Sequence, residues 1–426
     1  MNHKRFTFNF FATMYIKEVL TPADRRLFHR FQRDLYRGDD RFVAPLEFQV
    51  ENIFTPAKNE FFKHGSATRF LLFDDQDRVI GRVAAFINEN KAFTFQQPTG
   101  GMGFFECVED RTAAFRLMDE ARAWLAARGM EAMDGPINFG ENDNFWGLLV
   151  EGFEESCWGM PYNPPYYKQF FEAYGFKLYF EQVTNMLDLH KPFPERFWKV
   201  ADWARAKPDF SYKHLDFNNI EKFMQDFKAV YDDAWQFHEN FTPIDPRTLV
   251  KELKEGRGVI DPKMIWFAYH ENEPIAFLVM FPDARQIFKY FDGKLNWFNK
   301  LRFLWLKSRH KMNRTRITIM GIKPKYQRYG IESAIFYYLN EVMKTKPWYR
   351  YIELSWVGDF NPKMRALHES VGATFYQRHY TYRCLFDRTK DFERSSVIAK
   401  DTKQQYIKAL EEKEAQTAQA AQTEQA

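Results

Sequence analysis

Alternating apolar and polar positions predict a strand–turn–strand hairpin twice along the chain. Residues 69–87 read RFLLFDDQDRVIGRVAAFI, in which two apolar runs surround a polar turn. Residues 265–281 read IWFAYHENEPIAFLVMF and have the same order. Apolar runs bounded by turn residues in this way are typical of antiparallel strand pairs. We therefore expect a hairpin in each half of the chain.

A second pattern, a helix that ends at a glycine and is followed by a strand, is also repeated. It occurs at residues 170–180 (FFEAYGFKLYF, with Gly175) and at residues 367–377 (LHESVGATFYQ, with Gly372). The two patterns share an offset of roughly two hundred residues, which is a domain length and not the period of a solenoid. The repetition predicts two similar domains in tandem.

The remaining patterns predict a mixed α/β (α+β) sheet in each domain. RTAAFRLMDEARAWLAARG in the first half has helical spacing and ends at Gly129, a suitable C-cap. In the second half, RITIMGI predicts a strand, IESAIFYYLNEVMK a helix and YRYIELSW a strand. The predicted segments are an unstructured extension (1–13), a first domain (14–190), a second domain (191–388) and a helical or disordered tail (389–426).

Composition narrows the class of protein. The 426 residues are 45% hydrophobic and 28% charged, as in a globular protein, and the net charge of +4 is too small to predict a nucleic-acid partner. The three cysteines have no CxxC spacing, which excludes a disulfide framework and favours a reducing cytoplasm. No apolar run approaches the roughly 20 residues that span a bilayer, and no metal site is expected.

The junction GIKPKYQRYGIESAIFYYL, residues 321–339, places a basic, aromatic, glycine-containing turn between a predicted strand and a predicted helix. Main-chain amides at a helix N-terminus, together with the helix dipole, bind phosphate oxygens. Gly330 would allow close backbone approach, and Lys323, Lys325 and Arg328 would add positive charge. The alternative is a plain turn before a helix.

This junction resembles the signature of the GNAT superfamily of N-acyltransferases, Gln/Arg-x-x-Gly-x-Gly/Ala, although Glu332 replaces its last small residue. The resemblance implies that the turn binds the pyrophosphate of acyl-CoA (acetyl-CoA or a longer-chain acyl-CoA) and that the preceding strand, 317–322, binds its pantetheine arm. The cofactor-binding residues implied are Ile322, Lys323, Gln327, Arg328, Tyr329, Gly330, Ile331 and Asn361.

The order and spacing of elements match this family from about Asp261 to Phe386. The first half resembles the same fold in degenerate form, because CVEDRTAAF, which is acidic and lacks glycine, stands where the phosphate loop should lie. The chain as a whole resembles tandem GNAT-like bacterial proteins. We expect the first half to have a structural or substrate-shaping role.

Two residues are candidates for the proton transfers of acyl transfer. His368 stands four residues before Gly372, where many GNAT enzymes have an acid tyrosine, and the equivalent residue of the first half is Phe171. Glu353 is the candidate base. The alternatives are a surface histidine and a structural carboxylate. Asn361 either orients the thioester or caps the following helix, and His238 is a further cleft candidate.

Residues 294–314, KLNWFNKLRFLWLKSRHKMNR, combine an apolar stripe at helical spacing with many basic residues. This pattern predicts either a helix in a membrane interface or a core helix whose charges are solvated. The first alternative would give peripheral membrane contact and an amphiphilic acceptor, such as the lipid amine that bacterial ceramide-forming N-acyltransferases use.

The sequence thus predicts an acyl-CoA-dependent N-acyltransferase for a small-molecule or lipid amine, located in the cytoplasm with or without peripheral membrane contact. Its rival is a catalytically inactive GNAT-like binding or scaffold protein, which the departures at Glu332 and His368 favour. A third reading, an aminoacyl-tRNA-dependent transferase, would need a basic groove that the modest net charge does not favour.

Overall fold

A computed structural model describes residues 14–142, 144–235 and 245–395. The predicted extension 1–13, the candidate His238 and the tail beyond residue 395 lie outside these residues. The first eleven elements are β1 (Tyr15–Glu18), α1 (Pro22–Leu35), α2 (Glu47–Ile53), β2 (Gly65–Phe73), β3 (Val79–Asn88), α3 (Glu89–Ala92), β4 (Thr99–Cys107), α4 (Arg111–Ala126), β5 (Ala132–Gly135), β6 (Leu148–Glu151) and α5 (Tyr167–Tyr174). They are followed by β7 (Lys177–Asp188), α6 (Glu195–Arg205), β8 (Phe210–His214), α7 (Ile220–Trp235), α8 (Pro246–Glu255), β9 (Ile265–His270), β10 (Glu273–Pro282), α9 (Arg285–Phe288), α10 (Trp297–Ser308), β11 (Arg314–Ile322), α11 (Ile331–Lys344), β12 (Tyr351–Gly358), α12 (Pro362–Ser370) and β13 (Thr374–Leu385).

The elements form two compact units that are not successive along the chain. One unit contains the residues up to Gln182 together with Ile287–Leu306 and Gln377–Arg394. The other contains Val183–Gln286 and Lys307–Tyr376. This division differs from the predicted domains 14–190 and 191–388, because the last strand of the chain returns to the first unit.

The sheet of the first unit has the strand order β1-β2-β3-β4-β5-β13, and β6 also pairs with β13. Neighbours are antiparallel except β4 and β5, which are parallel. Helices α4 and α5 bury Leu117, Met118 and Phe171 in an apolar core together with Val83 and Met102 of the sheet. The unit is thus an α/β layer structure in which apolar helix faces cover the sheet.

Strand β13 is held in the first unit by a buried ion pair. Arg383 faces Asp134 of β5 across the antiparallel ladder. The Arg383 Nε and Nη2 atoms donate to the two carboxylate oxygens of Asp134 at 2.6 and 2.8 Å. Both residues are buried. A bidentate pair with this geometry fixes the register of the two strands.

The sheet of the second unit has the strand order β7-β12-β11-β10-β9-β8, in which β11 and β12 are parallel. Helix α7 packs Phe223 and Phe227 against Phe267 of β9 and Phe277 of β10. Phe197 of α6 and Phe336 of α11 meet edge to face at 5.9 Å. The mixed α/β class predicted for both halves is confirmed.

The hairpins and helices that were predicted from short stretches of sequence are confirmed. Both hairpins are present, as β2–β3 and β9–β10. The predicted helix of the first half is α4, and that of the second half is α11. Gly175 ends α5 in the left-handed conformation with φ of 109°, which side chains rarely adopt.

Replacing Asp134 by alanine should lower the free energy of unfolding by about 3–5 kcal/mol, because it leaves the buried guanidinium of Arg383 without a counter-charge. Denaturant unfolding measures this loss. The matched control is Glu131→Ala, which removes the exposed ion pair between Glu131 and Lys390 in the same region and should cost less than about 1 kcal/mol. Equal effects of the two substitutions would contradict the role given to Arg383 and Asp134.

Candidate active site

The parallel ladder between β11 and β12 ends in the middle of both strands. It runs from the pair Arg314–Tyr351 to the pair Ile317–Leu354. Strand β11 nevertheless continues to Ile322, and β12 continues to Gly358. Beyond Ile317, the edge of β11 that faces β12 therefore has main-chain N–H and C=O groups that do not take part in this ladder. An extended ligand could pair with such an edge.

A β-bulge lies at the point where the two strands separate. On the other side of β11, Ile319 pairs with Val279 and Ile317 with Met280, so that Thr318 has no opposite residue. The Thr318 hydroxyl donates to the Val279 carbonyl at 3.2 Å. The Ser355 hydroxyl donates to the Thr318 carbonyl at 3.1 Å, where a main-chain bond would otherwise be expected. A bulge bends its strand and increases the twist, which accounts for the separation.

Glu353 and Arg316 occupy facing positions just before the separation. Their register places them opposite each other, and the Arg316 Nε atom lies 3.2 Å from Glu353 Oε2. The Glu353 side chain is fully buried, and that of Arg316 is 5% exposed. The carboxylate of Glu353 is engaged by a guanidinium, as the alternative of a structural carboxylate would require.

The turn before α11 lies between a strand and a helix, where the sequence predicted a turn. Arg328 has φ of 75° and Gly330 has φ of 69°, so two residues in the turn are in the left-handed region. Gly330 is the N-cap of α11 and has no side chain with which to cap the helix. The first amides of a helix lack intrahelical partners; in α11 the amide of Glu332 donates to its own carboxylate, and the other first-turn amides could bond an anion from outside.

The equivalent helix of the first half is capped by its own chain. The Asp110 carboxylate accepts from the main-chain amides of Thr112 and Ala113, at 2.7 and 3.2 Å. An anionic side chain thus takes the place that a phosphate would need at the N-terminus of α4. A phosphate at this helix end would therefore have to displace Asp110.

The predicted cofactor residues have different environments. Gln327, Arg328 and Tyr329 are exposed on the turn, whereas Ile331 is fully buried in the core. Ile322, at the end of β11, is half-buried.

Lys323 does not add its charge to the turn in the way that the sequence predicted. Its ammonium group lies 2.8 Å from a carboxylate oxygen of Glu273. Lys207, which follows α6, supplies a cation instead. Its Nζ atom lies 4.6 Å from the ring centre of Tyr329 and 3.7 Å from that of Trp203. No local sequence pattern indicates that Lys207 belongs to this turn.

Helix α6 covers one side of Gly330. A Cβ atom on this glycine would lie 2.7 Å from Val200 Cγ1 and 3.4 Å from the Cβ of Ala204. The turn therefore needs glycine twice, for its positive φ and for the close approach of α6. The sequence predicted that Gly330 would allow a close approach of its backbone to a ligand, but it indicated neither the positive φ nor the contact with α6.

Glu332, the departure from the family signature, is largely withdrawn from solvent. Burial raises the pKa of its carboxyl group, and a hydrogen bond from its own main-chain amide partly opposes that rise. One amide of the first helical turn is therefore already used. The raised pKa makes the charge of Glu332 easier to neutralise than that of an exposed glutamate.

His368 is buried on α12 and is not the surface histidine of the alternative reading. Its Nδ1 atom lies 3.1 Å from Nδ2 of Asn185 on β7. Burial lowers the pKa of His368 to about 4. The imidazole is therefore neutral at pH 7, in contrast to the expectation that it exchanges a proton near neutrality.

Asn361 caps α12, one of the two roles that the sequence left open. Its Oδ1 atom accepts from the main-chain amide of Met364 at 3.2 Å. In the parts of the chain that the structure describes, no group of three or more His, Cys, Asp or Glu residues could hold a metal ion.

Two curated proteins are similar to this chain over most of their length, whereas no family model matches it. A bacterial ceramide synthase from Caulobacter vibrioides (strain NA1000 / CB15N) is 28% identical over 384 residues, which cover 87% of this chain and 97% of that protein. Protein YghO from Escherichia coli (strain K12) is 25% identical over 378 residues, which cover 86% of this chain and 94% of that protein.

Solved structures with GNAT folds superpose on most of the chain. A tandem GNAT protein from the clavulanic acid biosynthesis pathway has a TM-score of 0.54 at 11% identity, covering 89% of this chain and all of that one. The GCN5-related glucosamine N-acetyltransferase region of a fungal multi-domain GH3 β-N-acetylglucosaminidase also has a TM-score of 0.54 at 11% identity, covering 87% of this chain and 38% of that one. The fold of the chain is that of the tandem GNAT proteins, as the resemblance in its sequence predicted.

Proposed function

We propose that the protein is an acyl-CoA-dependent N-acyltransferase whose acceptor is the amine of a long-chain amino alcohol. The observation that carries the proposal is the separation of β11 from β12 directly before the N-terminus of α11, where the N-cap residue is glycine. The likeness to a bacterial ceramide synthase over 97% of that protein supports the acceptor class, because a ceramide is the amide of a long-chain amino alcohol.

In the proposed reaction the amine nitrogen attacks the thioester carbonyl, a C–N bond forms and the C–S bond breaks. The ammonium form of the acceptor loses one proton before attack, and the nitrogen loses another as the amide forms. The departing thiolate takes up one proton. The unpaired edge of β11 beyond Thr318 would orient the acyl carrier, and the amides before α11 would hold its pyrophosphate.

The residues at the turn fit an anion of this kind. Arg328 is exposed there, Lys207 lies beside Tyr329, and the dipole of α11 adds a partial positive charge. Glu332 opposes binding while it is ionised. Its raised pKa reduces that opposition.

Glu353 and His368 remain the candidate catalytic residues, and the environment of each side chain restricts the role that we propose for it. Glu353 must exchange its contact with Arg316 for the substrate ammonium before it can take a proton. With a pKa of about 4, His368 has only about one part in a thousand of its protonated form at pH 7. We therefore propose that neutral His368 donates a hydrogen bond near the leaving sulfur, and that the thiolate takes its proton from solvent.

We further propose a cytoplasmic location with peripheral membrane contact through residues 294–314, since a long-chain amine would partition into a bilayer. Among the described residues, no helix combines the length and the apolar character needed to cross a membrane.

A catalytically inactive acyl-CoA-binding scaffold is the second candidate. The buried ion pair of Glu353 and the low pKa of His368 favour it, since neither group is poised for proton transfer at neutral pH.

Incubation of the purified protein with acyl-CoA and a long-chain amino alcohol should release free CoA and form the corresponding amide. Thiol titration and mass spectrometry measure the two products across a series of acyl-chain lengths. A water-soluble short-chain amino alcohol tests whether chain length matters for the acceptor. Binding of CoA without amide formation from any acceptor would support the scaffold, and absence of CoA binding would remove both candidates.

Gly330→Ala should weaken CoA binding by about tenfold or more, because the new methyl group would displace α6 from the turn. The control is Gly129→Ala, since Gly129 also has a positive φ (82°) but an added Cβ there would meet no atom within 4 Å. Calorimetric titration with CoA measures both.

A second variant separates the contact with α6 from backbone strain. Val200→Ala removes the Cγ1 atom that lies 2.7 Å from the Cβ position of residue 330, so Val200→Ala combined with Gly330→Ala should recover part of the lost affinity. Equal CoA affinity of the Gly330→Ala and Gly129→Ala proteins would contradict the role of this turn.

Acidification from pH 6.5 to about 4 should destabilise the wild type more than His368→Gln. In this range the unfolded chain binds a proton at His368 that the folded chain does not bind, so the free energy of unfolding falls as the pH falls. The full difference amounts to about 3 kcal/mol. Denaturant unfolding at several pH values measures it, with His190→Gln, at an exposed position, as the control. Parallel stability curves for wild type and His368→Gln would refute the assignment.

A further inference from the structure

Helix α10 carries a continuous apolar stripe on its exposed side. Its members are the large apolar side chains that are more than half exposed on this helix: Trp297, Phe298, Leu301, Leu304 and Trp305. At about 100° per residue they fall within one face of the helix. Three aromatic residues of about 150–250 Å² each and two leucines, all more than half exposed, form a patch comparable to the largest found on a typical monomer, ~300–600 Å².

The opposite side of α10 is fixed to the protein. Asn299, Phe303 and Leu306 are buried there. Phe303 packs on Phe288 with ring centres 5.7 Å apart, and the Asn299 side chain donates to the Lys294 carbonyl at 2.7 Å. The outward stripe therefore belongs to an anchored helix that turns one face inward and one face to solvent.

Basic residues flank the stripe, and acidic residues are absent from the same stretch. Residues 294–311 contain no Asp or Glu, and their basic residues are Lys294, Lys300, Arg302, Lys307, Arg309 and Lys311. On a helical wheel Lys300 and Arg302 stand about 100° to either side of the centre of the stripe. They mark the borders between its apolar and buried faces.

We propose that α10 docks the protein on a bilayer that contains anionic lipids, with the helix axis in the plane of the interface. In this orientation the tryptophans and leucines enter the acyl boundary, and Lys300 and Arg302 lie at the level of the phosphates. The buried face of Phe303 and Leu306 stays on the protein. Trp297 and Trp305 are residue types that favour membrane interfaces.

The charge of this segment favours an anionic bilayer over a second copy of the chain. In a symmetric dimer through α10 each stripe would meet the same surface of its partner. The flanking cations of the two copies would then oppose each other without acidic partners in the segment. A surface of anionic phosphates complements the same cations.

The proposal that α10 docks on a bilayer rests only on the exposed apolar stripe and its flanking basic residues. The further idea that docking gives access to a lipid amine rests on the proposed function. A docked protein would meet a long-chain amine in the bilayer and acyl-CoA in the aqueous phase. The vesicle experiment needs neither substrate, so its failure and the failure of the proposed reaction are distinguishable.

The test is co-sedimentation of the full chain with vesicles of phosphatidylcholine alone and of phosphatidylcholine mixed with phosphatidylglycerol. The wild type should bind the mixed vesicles, and its affinity should fall as salt is added. The triple variant Trp297→Ser/Leu301→Ser/Trp305→Ser should bind at least about tenfold more weakly. Phe93→Ser, which removes an exposed aromatic ring outside α10, is the matched control and should bind like the wild type.

Two further measurements exclude other reasons for a loss of binding. Unfolding curves of the triple variant should match those of the wild type, because all three side chains are mostly exposed. The charge variant Lys300→Gln/Arg302→Gln keeps the apolar stripe and should bind mixed vesicles more weakly than the wild type does. Absence of vesicle binding by the wild type, or undiminished binding by the triple variant, would overturn the proposal. So would a concentration-dependent dimer in light scattering that the triple variant loses.

Discussion

The candidate site depends on the point at which β11 and β12 stop pairing. Up to Ile317 and Leu354 the strands share a parallel ladder, and the facing Arg316 and Glu353 are buried within it. From Thr318 onward a bulge and the hydroxyl of Ser355 replace the ladder. Had the ladder continued to the strand ends, the edge of β11 would have been used within the sheet. The buried ion pair therefore lies next to the residues that keep the edge available.

The N-termini of α4 and α11 differ in how they are capped. Both have a strand, a turn and a helix in the same order. In the first half the carboxylate of Asp110 satisfies the amides at the start of α4. In the second half the N-cap residue of α11 is Gly330, which has no side chain, and the Glu332 carboxylate accepts from its own amide. An internal carboxylate at a helix N-terminus stabilises the helix end as a phosphate would.

The sequence predicted those features that neighbouring residues determine. The hairpins, helices α4 and α11 and the turn at Gly330 all follow from short-range periodicity or from a glycine at a fixed place. Three other features depend on residues far apart in the sequence: Arg383 is 249 positions from Asp134, Val200 approaches Gly330, and Asn185 contacts the buried His368. No local pattern carries such contacts, which is why the return of β13, the cover by α6 and the low pKa of His368 were not predicted.

Helix α10 illustrates why the same pattern can be read in two ways. An apolar stripe with flanking cations suits a core helix and an interfacial helix equally, since both bury one face. In the structure α10 has two apolar faces: Phe303 and Leu306 are buried, whereas Trp297 and Trp305 are exposed. A core helix needs only the first face. An exposed apolar face of this size lowers solubility unless another apolar phase covers it. The proposed transfer from a water-soluble thioester to a long-chain amine would require access to both an aqueous and an apolar phase.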